Sequence, residues 1–234
     1  MGPEALQRAA RAFRYWEHRQ QAVSHNLANA STPGFKGERV FARLLRDGGL
    51  EARGQTDLRS GSLTETGRPL DLALGGSGFF VVDTPRGERL VRGGSFRLDA
   101  TRTLVDARGN PLLARGNPRG RPVTLPEGEY EVTPRGHVLV DGSLMATLRV
   151  EEPAPGATLE REEGLHFRPG GETVPVEVES VEVLSGHLEE SNVQPVESLV
   201  EMIEIQRAYS ALQRSVLAMD GVMDRISNEL GKVR

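Results

Sequence analysis

The chain has no cysteine, which excludes disulfides, thiolate zinc sites and thiol nucleophiles together. Lysine stands only at Lys36 and Lys232, so arginine carries almost all the positive charge. A GC-rich genome accounts for that bias as readily as a need for forked, permanently charged donors. Aromatic residues make up 5%, too few for an obvious stacking surface. The net charge is −4 and the pI is near 5.8, so no basic field favours nucleic acid. No apolar run reaches the length of about 18 residues that a membrane span needs. Arg8, Arg11, Arg14 and Arg19 interrupt what a secretory signal would need as an apolar stretch. Work outside the cytoplasm would then require another export route.

Catalytic and metal patterns are also missing. His18, His25, His137, His166 and His187 show no metal-ligand spacing, and no HExxH occurs. Gly75-Gly76-Ser77-Gly78 lacks the Lys-Ser/Thr of a phosphate loop, and apolar strand residues follow it. It reads as a tight turn or bulge. Glu177 and Glu179 alternate with Val176 and Val178, which fits the wet face of a strand better than an acid–base pair. No cofactor, metal or catalytic residue is expected. Asn29-Ala30-Ser31 matches a glycosylation sequon, but it falls where a helix should end, and Asn and Ser are also good capping and turn residues.

The chain does carry two apolar seams. Near the C-terminus Met202, Ile205, Tyr209, Leu212, Val216, Met219, Met223, Ile226 and Leu230 alternate spacings of three and four, the pattern of a coiled coil. Near the N-terminus the alternation runs through Leu6, Ala9, Phe13, Trp16, Gln20, Val23 and Leu27, with Gln20 as a polar intruder. Pro33-Gly34 stops the first helix, and Pro195 suits the first turn of the second. Between them lie short apolar runs split by Gly, as in Leu70–Leu74 and Phe79–Val82, and alternating ones, as in Leu144–Val150.

The expected fold is therefore a mainly β middle domain, an irregular β-sandwich or barrel, with long N- and C-terminal α-helices pairing as a coiled coil. The expected divisions are an N-terminal helix over 1–32, a connector over 33–56, a β-rich outer domain over 57–190 and a C-terminal helix over 191–234. The seams predict an assembly surface, and the helix pair is expected to need neighbouring subunits for its stability. Arg8, Arg11, Arg14 and Arg19 on the first helix face Glu197, Glu201, Glu204, Asp220, Asp224 and Glu229 on the last in sign. Such pairs set partner and register more than affinity.

Four segments carry a resemblance. Asn26-Leu27-Ala28-Asn29 followed by Ser-Thr-Pro33-Gly34-Phe35-Lys36 closely resembles the N-terminal signature of bacterial flagellar rod and hook proteins. Gly67-Arg-Pro-Leu-Asp-Leu-Ala-Leu leading into Gly78-Phe-Phe-Val-Val, then Arg92-Gly-Gly-Ser-Phe, resemble that family's next strands. Glu190-Ser-Asn-Val-Gln-Pro-Val-Glu before Met202-Ile-Glu-Ile-Gln-Arg-Ala-Tyr209 resembles its C-terminal signature. The segments follow in the family's order. The size of the middle region points to the two mid-sized rod proteins, and the Arg-Pro-Leu-Asp and Asn-Val-Gln-Pro-Val-Glu wording and the short connector after Lys36 lean toward the cell-proximal one.

The resemblance implies a structural subunit of the basal-body rod, polymerising through its terminal helices into a tubular drive shaft in the cell envelope. It implies passage through the flagellar export system without a cleaved signal. Partners would be copies of the chain and other rod and hook subunits, with the surrounding ring proteins as further candidates. Two rival classes stand beside this. A β domain displayed on a coiled coil and binding carbohydrate or peptide would need clustered aromatics, yet the middle holds only Phe79, Phe80, Phe96, Tyr130 and Phe167. An enzyme would need a convergent polar pocket.

Overall fold

The computed structural model describes residues 3–44, 50–116, 120–162 and 164–230, with the side chains of residues 3–5, 50 and 223–230 outside that description. The chain divides into two compact units. One holds Met1–Ala30, Gly37–Asp57 and Val193–Arg234; the other holds Ser31–Lys36 and Leu58–Asn192.

The first unit contains helix α1 (Pro3–Ala28), an antiparallel hairpin of β1 (Glu38–Leu44) and β2 (Leu50–Thr56), and helix α2 (Pro195–Leu230). Pro195 opens α2 at the position where its missing N–H costs nothing. Phe13 meets Tyr209 edge to face with ring centroids 5.1 Å apart. Arg19 Nε donates to Glu201 Oε1 at 2.8 Å. The partner number falls as the first rises, so the helices run antiparallel. Helix α1 also packs on both strands of the hairpin.

The helices do not pair as the expected coiled coil. Of the seam positions, Val23 and Ile205 are buried, Phe13, Trp16, Leu27, Met202, Tyr209, Leu212 and Val216 are half-buried, and Leu6 and Met219 are exposed. The side chains of Met223, Ile226 and Leu230 lie outside the described residues. Knobs-into-holes packing needs both seams closed along their length. Here helices of 26 and 36 residues cannot match end to end, Gln20 breaks one seam, and α1 divides its packing between α2 and the hairpin.

The second unit is built of short strands. It begins with β3 (Leu63–Glu65), β4 (Asp71–Leu74), β5 (Phe79–Thr84), β6 (Gly87–Val91) and β7 (Gly94–Ser95). The largest sheet has six strands in the order Leu159–Arg161, His166–Pro169, β6, β5, Val150–Pro153 and Thr173–Pro175. Strand β4 pairs with β7 and with Val183–Ser185, while β3 pairs with His187–Glu189. Leu72–Leu74 of β4 and the first four residues of β5 are buried, as continuous apolar runs in central strands should be, and Asp71 at the head of β4 is buried with them. Leu72, Leu74, Phe80, Leu104, Leu112, Val138 and Leu148 lie in one core cluster. Gly93 is required by packing, because a Cβ there would stand 2.5 Å from the Leu72 carbonyl oxygen.

Candidate functional site: the motif junctions and the outer face of α2

The signature residues form two sets of contacts, one in each unit. In the first unit, the carboxamide of Asn26 bonds to both backbone groups of Glu38. Asn26 Nδ2 donates to the Glu38 carbonyl at 2.8 Å, and the Glu38 N–H donates to Asn26 Oδ1 at 2.8 Å. One side chain thus behaves as a strand partner for the first residue of β1, and only an amide offers both a donor and an acceptor in that geometry. Asn29 Nδ2 donates to the His25 carbonyl at 2.9 Å, satisfying one of the open carbonyls at the end of α1. Leu27 is half-buried and Ala28 exposed.

In the second unit, Gly34 has φ +74°, a conformation a side chain rarely adopts. Its N–H donates to the Glu189 carbonyl at 2.5 Å. Phe35 is buried, and the Arg161 guanidinium lies over its ring at 4.1 Å from the centroid. Lys36 is fully buried. Its Nζ bonds Glu189 Oε1 at 2.5 Å and the Arg59 carbonyl at 2.8 Å. Pro33 is exposed.

Glu189 is the centre of this junction. Its other carboxylate oxygen accepts from Arg92 Nε at 2.8 Å, and Oε1 also accepts from the Gly61 N–H at 2.9 Å. Arg92 in turn donates to the carbonyls of Gly78, at 2.7 Å, Leu74, at 3.2 Å, and Gly76, and to Ser60 Oγ at 3.1 Å. The Gly75–Gly78 loop therefore turns its carbonyls onto a cation. That is the reverse of a phosphate loop, which offers N–H groups to an anion. Two buried cations share one buried carboxylate, and backbone carbonyls and the Ser60 hydroxyl take up further donors, as buried charge requires.

Two further carboxylates organise turns. Asp71 is buried and accepts from Thr66 Oγ1 at 2.6 Å and Arg68 Nε at 2.9 Å. Burial works against its charge, but the hydrogen bonds from Thr66, Ser95 and Arg68 hold its pKa below the usual carboxylate value. Asp106 accepts from His166 Nε2 at 2.7 Å, from the backbone N–H groups of Arg108 and Asn110, and from Asn110 Nδ2. Burial again opposes, and the His166 and Asn110 bonds bring its pKa down to about 2.

The first unit presents apolar surface beyond the two seams. Val196, Leu199, Val200 and Ile203 stand at i, i+3, i+4 and i+7 on α2 and are 50% to 74% exposed. At 3.6 residues per turn they lie on the far side of the helix from Ile205. Leu217, 70% exposed, returns to the same side. A helix apolar on opposite faces is normally enclosed by partners. This spacing was readable from sequence but was masked by the longer run of threes and fours beside it. Glu189 gave no such signal, because its role depends on residues more than ninety positions away.

The chain is similar in sequence to known proteins over most of its length. Residues 184–229 match the family model described as the C-terminal region of the flagellar basal body rod FlgEFG proteins, and residues 73–140 match the D1 domain of flagellar hook proteins FlgE/F/G. A flagellar basal-body rod protein FlgF of Rhizobium meliloti is 31% identical over 229 residues, covering 93% of this chain and 94% of the relative. FlgF of Salmonella typhimurium is 32% identical, covering 86% of this chain and 88% of the relative. A FlgG of Buchnera aphidicola is 30% identical, covering 88% and 91%. The chain belongs to the flagellar basal-body rod protein family and is FlgF-like, a structural subunit of the rod in the cell envelope rather than an enzyme.

Proposed function

We propose that this rod subunit joins its neighbours through its first unit, with the outer face of α2 as the principal contact. The supporting observation is the exposed stripe Val196, Leu199, Val200 and Ile203. Each such side chain contributes about 1.5–3 kcal/mol when fully removed from water, and nothing within the described residues of that unit covers them. The half-buried seam residues Phe13, Trp16, Leu27, Met202, Tyr209, Leu212 and Val216, with exposed Leu6 and Met219, lie on other faces of the same unit and offer a second, lesser contact. Copies of the chain and other rod subunits are the occupants.

The experiment is the double variant Leu199→Asp with Ile203→Asp. Both side chains are already half exposed in the single chain, so its folding should change by no more than about 0.5 kcal/mol per site. Rod assembly should nevertheless fail in cells whose only copy carries the variant, read as loss of swimming and of isolated basal bodies. Wild-type swimming would refute the assignment.

A further inference from the structure

We infer that Glu189 is a latch: it locks together the segment by which the chain enters the β unit after α1 and the segment by which it leaves for α2, and rod assembly depends on that lock. Gly34–Lys36 and Glu189–Asn192 are the two β-unit segments from which the chain passes to or from the terminal unit near the two helices. Glu189 holds both. Its carbonyl receives the Gly34 N–H, its carboxylate receives Lys36 Nζ, and its strand pairs with β3. The Asn192 N–H closes the crossing on the Phe35 carbonyl at 3.3 Å, and Asn192 Nδ2 reaches the Arg59 carbonyl at 2.9 Å. Arg92 ties the same carboxylate to the Gly75–Gly78 loop.

The charge pattern is what makes this a lock rather than ordinary packing. Glu189 and Lys36 are fully buried and Arg92 nearly so. Removing the carboxylate would leave two cations facing each other out of water, which drives the segments apart. Arg92 reaches the apolar core cluster at the Leu74 carbonyl, so the lock borders the unit's centre, and Leu112 and Val123 report whether that centre is disturbed. The chain passes from Asn192 directly into the unit that carries α2, so the lock holds the β-unit end of that connection. This rests on the proposed assembly role of the terminal unit, but its first readout does not.

Glu189→Gln tests it, with Lys36→Met as a second variant that empties the lock from the other side. In the soluble monomer, amide exchange at Gly34, Gly61 and Asn192 should rise at least tenfold in both, while Leu112 and Val123 in the core keep their protection. Rod yield in cells should fall at least fivefold in both, and the double variant should be no worse than the more severe single. Unchanged exchange at Gly34 and Gly61 would overturn the lock. So would an equal rise at Leu112 and Val123, which would make Glu189 a plain stability residue. An opened lock with normal rod yield would overturn its link to assembly. The Leu199/Ile203 double variant reads the α2 surface separately, so failure of one idea is distinguishable from failure of the other.

Discussion

Single residues here do work that their type alone does not reveal. Asn26 is half-buried, and its value lies in having a donor and an acceptor 2.8 Å from the two backbone groups of Glu38. Asn26→Asp keeps the shape, loses the donor and sets a carboxylate against the Glu38 carbonyl. The expected loss is about 1–3 kcal/mol from the first unit, measured by denaturant unfolding followed through Trp16, the only tryptophan, which lies in that unit. Asp106 permits a pH prediction. Its folded pKa of about 2 lies below its ordinary value of 3.8. A depressed carboxylate stabilises the fold above its unfolded pKa, and that contribution disappears as pH falls through the folded one. The β unit should therefore lose stability between about pH 4 and pH 2, and Asp106→Asn should flatten this part of the profile while lowering stability near neutrality. A thermal-melting series across that range reads both.

At the scale of elements, the turn at Gly34 and the two faces of α2 matter most. Gly34 has positive φ with its nearest prospective Cβ contacts at 3.6 Å and 3.8 Å, so the obstacle to a side chain there is the backbone conformation and not lack of room. Gly34→Val should cost on the order of 1–2 kcal/mol and impair assembly. Equal melting temperatures for Gly34→Val and the parent would contradict it. Leu212 faces the other way from the exposed stripe and is half-buried. Leu212→Asp should therefore weaken both the α1–α2 contact and rod growth, unlike the Leu199/Ile203 double variant, which should spare the monomer. Trp16 fluorescence together with swimming separates the two. Much of this was legible beforehand: the helices, the stop at Pro33-Gly34, the apolar runs of β4 and β5. The coiled coil was not correct, because a heptad pattern states which side of a helix is apolar without stating whether a hairpin shares that side.

At the scale of the whole molecule, stability is unevenly distributed. The β unit contains the main core cluster, whereas the terminal unit leaves Leu6, Phe41, Leu44, Val196, Leu199, Val200, Ile203, Leu217, Met219 and Val222 at the surface. A unit with that much uncovered apolar area and few buried side chains opens at low free energy. In the free monomer the terminal unit should thus unfold at lower denaturant than the β unit. Trp16 fluorescence should show an earlier transition than the β-sheet signal in circular dichroism, and coincident curves would exclude it.

What the sequence determined by itself was the class of the molecule: two amphipathic ends, a β-rich middle, no catalytic constellation, and ordered signature segments that resemble one family. These depend on local periodicity and on residue type, which a linear chain displays directly. Tertiary structure alone decided what the signatures are for. Asn26 meets Glu38 through a turn, and Glu189 meets Lys36 and Arg92 across 153 and 97 positions, because burying a charge demands a partner of opposite sign and only the folded chain can bring one there.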